Sequence, residues 1–408
     1  MNPDCSRTDA GGHVMAPLLD EALLNDPDYI AARDSCLTLM ALATAGAQVR
    51  QAVTLSHEAG IERVAGGERP RSVLVASLGG SAVVADVLQL LAEPGSPVPV
   101  TVRRNLPLPG WVGPLDLVVA VSLSGRARGP LAVAAEAARR GTSILTVGAA
   151  DSPLADVCAR ARGVHIDVGR GRTSSRTALW SLLTPVILAA GELGLIEAGP
   201  SVLSDTADRL DLQAEACRPR SESFVNPAKI LALQLAETIP VVLGDGPLNG
   251  VAAGRAASML ARTARIPATS GELPDAASQI VACFDGPFTA GGGRGIGVRE
   301  SAPDIFADPF LDGPAQPRLG LLLLRDAPPA TLTQDRADAE ALTDAVLQTA
   351  YDAGVKVSTV VAEPGHPLVR LAGQIAQTDF AATYLAIGLG LDPAVSPHVA
   401  DLRDRTRG

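Results

Sequence analysis

The chain has 408 residues, 47 % of them apolar but only 3 % aromatic, and a formal net charge of −10 from 34 basic and 44 acidic side chains. That length exceeds the range over which single cores grow and predicts two α/β domains, with Ala, Val and Leu packing strands between helices. The negative balance argues against nucleic acid or an anionic membrane as main partner. The five cysteines, 5, 36, 158, 217 and 283, contain no Cys-x-x-Cys pair and suit reduced thiols better than a disulfide framework or a zinc site. No run of about 18 apolar residues occurs, and no N-terminal stretch joins a basic flank to an apolar core, so the expectation is a cytoplasmic protein with no membrane partner.

In chain order, residues 1 to about 16 are polar and Gly-containing, and Leu19 to about Val64 carry helix-period apolar residues such as Leu39, Leu42 and Val49. Together they form an N-terminal helical extension over 1–65. Residues 71–91 then read as a buried strand, a turn of Gly79, Gly80 and Ser81, and a helix. Converging amides at such a helix N-terminus favour an anion. The device repeats: Leu117 to Val121 ends in Ser122-Leu-Ser-Gly-Arg126, followed by a helix to Arg140 and the run Ile144 to Val147. Ser81, Ser122 and Ser124 are expected at the C-terminal ends of neighbouring strands, where open parallel sheets bind ligands. A phosphorylated small molecule fits that edge; serines that only cap helices are the alternative.

A short helix near Leu154, a strand at Val164 to Val168, a Gly/Arg/Ser loop and a long helix from about Arg176, with Pro185 inside it, complete a first domain over 66–200. Beyond a boundary near 197–226 the pattern returns, with Ile239 to Gly246 and a helix, then Leu319 to Leu324, a helix to Asp352 and a strand Val355 to Val361. A duplicated αβα domain over 201–408 with a Gly/Pro-rich insertion over 286–317 accounts for the wider spacing. The glycines between 291 and 297 lack a following helix and a Lys-Ser/Thr pair, so they read as part of the insertion rather than a phosphate cradle.

Several segments occur in one order: Leu78-Gly-Gly-Ser-Ala82, Ala120-Val-Ser-Leu-Ser-Gly125, Arg140-Gly141, Ser175-Arg-Thr-Ala-Leu179, Arg265-Ile-Pro-Ala268, Glu272-Leu-Pro274, Leu323-Leu-Arg-Asp326 and Tyr384 to Pro393. Over about residues 70–405 the chain resembles the bifunctional phosphoglucose/phosphomannose isomerase family of the sugar-isomerase (SIS) fold. The resemblance implies two SIS-type αβα sandwich domains with parallel sheets, a homodimer, and aldose–ketose isomerisation of hexose 6-phosphates without metal or cofactor. It implies a sugar phosphate held by Ser81, Ser122 and Ser124, beside the turn amides of Gly79 and Gly80, with Arg176 beside the enediolate. A fixed guanidinium there is an electrostatic catalyst; a surface arginine at a helix start is the other reading.

The departures fall on the proton-handling positions. The family's glutamate base falls on Arg262, whose guanidinium stays protonated and cannot take a proton. The histidine assigned to ring opening is missing from Glu272 to Gln279, and the C-terminal lysine falls on Arg403. In the phosphate loop Arg126 replaces a polar residue and can supply charge. Glu272 is the candidate surrogate carboxylate, with Asp275 beside it. His366 and His398 read as turn residues. The expectation is a phosphosugar-binding SIS protein whose catalytic residues are largely substituted. The alternative is a catalytically silent sugar-phosphate sensor or regulatory protein. Dinucleotide binding is a third reading, disfavoured because the first turn is not Gly-x-Gly-x-x-Gly.

Overall fold

The computed structural model describes residues 19–104, 107–289, 318–328 and 333–405. Among the described residues, four α-helices and a 3-10 turn (Ile61–Ala65) precede the first strand, as the apolar spacing predicts: α1 (Glu21–Leu24), α2 (Pro27–Arg33), α3 (Thr38–Ala43) and α4 (Ala45–Glu58). Asp20 and Asp26 start the first two, their carboxylates accepting the amides of Ala22, Asp28 and Tyr29.

The first sheet comprises β1 (Val73–Ser77), β2 (Val100–Arg103), β3 (Leu117–Ser122), β4 (Ser143–Gly148) and β5 (Val164–Asp167), with α5 (Val83–Ala92), α6 (Arg128–Arg139) and α7 (Pro153–Arg160) as crossovers. All pairings are parallel, in the order β2-β1-β3-β4-β5. Every residue of β1 and β3 is buried because helices cover both faces. Then come α8 (Leu179–Glu192), α9 (Pro200–Ala216) and α10 (Pro227–Leu235).

The second sheet holds β6 (Thr238–Asp245), β7 (Thr269–Leu273), β8 (Arg318–Asp326) and β9 (Lys356–Ala362), with α11 (Pro247–Met259), α12 (Ala277–Cys283), α13 (Gln334–Asp352), α14 (Pro367–Gly388) and α15 (Pro397–Arg405). Its order is β7-β6-β8-β9, again parallel. The fold is therefore α/β with two parallel sheets and preceding helices.

One apolar cluster joins the halves, because Leu182, Val186 and Ile187 of α8 share it with Ala252 and Ala256 of α11 and Leu371 and Phe380 of α14. Helix α14 is buried along most of its length. This shared core brings the helix after β6 up to the first sheet's C-terminal edge.

One local boundary shifts. Helix α8 starts at Leu179, so Arg176 lies in the turn before it. Glu272, the candidate surrogate carboxylate, lies in the edge strand β7, opposite Gly244. Thr-Ser-Gly-Glu-Leu has little apolar content, and pairing with β6 rather than propensity makes it a strand. Of the predicted insertion, residues 290–317 lie outside the described residues.

Candidate functional site

Strands β1 and β3 are neighbours, Ser77 standing opposite Val121, so the turns that follow them lie side by side. Gly79 adopts φ +64° and Gly125 φ +62°, conformations that favour glycine. The start of α6 packs on the first turn: a Cβ built on Gly129 would lie 2.1 Å from Leu78 Cδ1. Ser81 is buried and donates its hydroxyl to the Leu78 carbonyl at 2.9 Å. Ser122 Oγ accepts the Ala127 amide at 3.4 Å, and Ser124 Oγ the Arg126 amide at 3.3 Å. Arg126 is exposed and reaches the Asp151 carbonyl. The six residues expected to hold phosphate thus occupy one sheet edge, their serines organising the turns.

The second half supplies a guanidinium to this edge. After α11 the chain makes a π-helical turn, Leu260–Ala264, that carries Arg262. A Cβ built on Gly79 would lie 3.4 Å from Arg262 Nη2, and one on Gly80 3.4 Å from Arg262 Nη1. The guanidinium therefore lies against the glycine turn, so Arg262, which the resemblance sets at the base position, meets the turn that it sets at the phosphate position. A Cβ on Gly80 would also lie 2.3 Å from Ser175 Oγ. Ser175 lies in a motif segment, yet nothing in its local sequence marks it as packed on the turn.

Arg176 points into the seam between the halves. Its Nη1 donates to Arg262 O at 2.9 Å, Thr263 Oγ1 at 3.3 Å and Pro393 O at 3.0 Å, and its Nη2 to Ala394 O at 3.2 Å. It fastens the π-helical turn and the segment before α15 to the loop before α8. Arg265 holds that same segment through the carbonyls of Asp392 and Val395.

A cleft of about 670 Å³ opens beside the glycine turn, lined among others by Gly79, Gly80, Val83, Glu93, Gly250 and Glu272. Glu272 is exposed overall, but its carboxyl packs on α11, where a Cβ at Gly250 would lie 2.5 Å from Oε2. Desolvation there raises its pKa above the usual carboxylate range, and the negative charges of Glu93 and Asp275 add to the rise. Asp86, on the same wall, pairs with Arg104. Arg403 lies on α15, and its side chain is outside the described residues. His366 caps α14, its Nδ1 accepting the Leu368 amide at 3.2 Å, and burial lowers its pKa. Among the described residues no group of three or more His, Cys, Asp and Glu could hold a metal.

Residues 224–406 match the bacterial phospho-glucose isomerase C-terminal SIS domain. A curated relative, the bifunctional phosphoglucose/phosphomannose isomerase of Caldicellulosiruptor bescii, is 27 % identical over 196 residues. That match covers 48 % of this chain and 57 % of the relative, so the chain spans little more than half the relative's length. The crystal structure of a hypothetical protein from Thermus thermophilus superposes with a TM-score of 0.66 at 14 % identity, covering 95 % of this chain and 94 % of that one. The C-terminal domain of glucosamine-fructose-6-phosphate aminotransferase from Francisella tularensis does so with a TM-score of 0.58 at 13 % identity, covering 87 % of this chain and 97 % of that one. These structures show the shared fold. The resemblance carried by the motifs holds, and the chain is similar to the phosphosugar isomerases of the SIS fold.

Proposed function

We propose that the chain binds a hexose 6-phosphate at the edge formed by Gly79, Gly80, Ser81, Ser122 and Ser124, and interconverts aldose and ketose slowly or not at all. The observation that carries this reading is the Arg262 guanidinium against the Gly79–Gly80 turn. A permanent cation beside a helix N-terminus strengthens anion binding and cannot serve as a base. The four acceptors of Arg176 support the same conclusion, since turning it toward a developing enediolate would forfeit those bonds.

Glu272 supports a second reading, residual isomerase activity. Its raised pKa and its place on the cleft beside Gly79 and Gly80 suit a surrogate base. A cytoplasmic homodimer without cofactor, metal or nucleic-acid partner goes with either reading; among the described residues, no helix is long and apolar enough to cross a membrane.

Titration calorimetry with fructose 6-phosphate and with fructose tests binding. The phosphate ester should bind and the free sugar should not, and Ser122→Ala with Ser124→Ala should weaken binding by about 1 kcal/mol per lost hydrogen bond. A coupled assay should give turnover below the ordinary enzymatic range of about 1–10³ s⁻¹. Equal affinity for sugar and sugar phosphate would refute the binding proposal. Tens of turnovers per second would refute the catalytic one.

A further inference from the structure

The seam behind the glycine turn holds a buried ion pair that joins two helices of the second half to two segments of the first. Arg255, on α11, and Asp379, on α14, have side chains 2 % and 5 % exposed. Arg255 Nε donates to Asp379 Oδ1 at 3.1 Å and Nη2 to Oδ2 at 2.8 Å, a bidentate pair. The rest of the fork reaches across the seam: Nη1 donates to the Gly80 carbonyl at 3.3 Å, and Nη2 to the Arg176 carbonyl at 2.6 Å. One guanidinium therefore holds both the glycine turn and the loop carrying Ser175, which themselves pack together through Gly80 and Ser175.

Geometry makes this more than a packing contact. A guanidinium presents its five donors in a rigid planar fork, so fixing two donors of one edge on a carboxylate fixes where the others point. Asp379 thus orients Arg255, and Arg255 sets the Gly80 carbonyl. Because the peptide is planar, a fixed carbonyl constrains the backbone of the turn on both sides. The tether is reciprocal, since Arg176, whose carbonyl Arg255 holds, binds the Arg262 carbonyl with its own side chain.

We propose that Arg255 and Asp379 are positioning residues, which hold the Gly79–Ser81 turn and the Ser174–Arg176 loop in the arrangement that receives a phosphate ester. The ligand half of this inference rests on the function proposed above. Removing the fork should loosen both segments together while leaving the two sheets intact. A small displacement of a binding turn is costly, so affinity should fall by about 10- to 100-fold.

Arg255→Lys keeps the charge but not the fork, and Asp379→Asn keeps the shape but not the charge. Each is measured in two ways in the full chain. Hydrogen exchange of the ligand-free protein should accelerate over 78–82 and 174–178 and stay unchanged in β3 and β8. Calorimetry should show weaker fructose 6-phosphate binding in a variant that is folded at the measuring temperature. A merely structural pair would lower the melting temperature and leave the affinity unchanged, and that result overturns the proposal. Unaltered exchange over both segments also overturns it. If wild-type protein binds no sugar phosphate, the functional reading falls, and the exchange measurement alone decides whether the pair holds the turn. If Arg255→Lys does not fold, Asp379→Asn carries both measurements.

Discussion

Replacing Gly80 by alanine tests the packing of the candidate site at its narrowest point. The new Cβ would lie 2.3 Å from Ser175 Oγ and 3.3 Å from Ser175 Cβ, and contacts under 3.0 Å do not occur for real Cβ atoms. The hydroxyl must withdraw or the turn must move, and overpacking of this kind costs about 1–3 kcal/mol. Arg262 Nη1, 3.4 Å from the same Cβ, is at ordinary contact and adds nothing. Removing the hydroxyl with Ser175→Ala leaves only the 3.3 Å contact, tight but tolerable, so Gly80→Ala in that background should cost less than about 1 kcal/mol. The cycle therefore predicts a coupling of about 1–2 kcal/mol, read as a 5- to 30-fold non-additivity in the dissociation constant for fructose 6-phosphate. Thermal midpoints of the same four proteins give a second cycle that needs no ligand. Additivity within about 0.5 kcal/mol in both cycles would refute the contact between Ser175 and the turn.

Two further outcomes follow from the side-chain chemistry. Burial lowers the pKa of Lys229 from its ordinary 10.5 to about 8. The unfolded chain then binds more protons between those values, so stability contributed by this group rises with pH from about 8 to 10.5 and its cost is full below about 8; the thermal midpoint of wild type relative to Lys229→Met should rise over that interval, and a constant difference would refute the assignment. No three-residue metal-ligating group exists among the described residues, so sugar-phosphate binding should survive exhaustive EDTA treatment, and loss restored by zinc would count against this reading of the site.

Most strands were legible in the sequence because buried parallel strands are continuous apolar runs, as in Val73–Ser77 and Leu117–Ser122, whereas the half-buried edge strand β2 was not read. The glycine turns were legible for the same reason, since each interrupts such a run before a helical period. Strand β7 was hidden because its residues carry no strand pattern and only β6 makes them a strand. The Arg255–Asp379 pair lay beyond pattern reading, its members 124 positions apart. A signal was nevertheless present. Arg255 stands alone among Val251, Ala252, Ala253, Ala256 and Ala257, and Asp379 among Ile375, Ala376, Phe380 and Ala381, opposite charges in two apolar helices. Burying either alone is prohibitive, so each implies a partner, although two such helices do not say which partner.

On the proposed reading, in which an anion-binding edge is kept and the proton chemistry lost, the arginines around the seam bear on what a restored base would do. Arg176 and Arg255 donate to main-chain carbonyls across the seam, Arg265 donates to carbonyls within the second half, and together they fix the loop before α8, the π-helical turn after α11 and the segment before α15. A carboxylate base at position 262 would face this cationic surround and be held ionised, with a depressed pKa. Such a base is a weaker proton acceptor, and catalysis is best served by a pKa near the working pH. Arg262→Glu should therefore restore little turnover by itself, because the surrounding guanidinium groups depress the new carboxylate and the ring-opening histidine is still missing. The measurement is the coupled assay on Arg262→Glu beside wild type, with fructose 6-phosphate affinity determined on both. Affinity should fall, since a cation at the glycine turn becomes an anion, while turnover stays below about 1 s⁻¹. A variant that binds as tightly as wild type and turns over in the ordinary enzymatic range would show that the seam tolerates a base and that Arg262 alone silences the site.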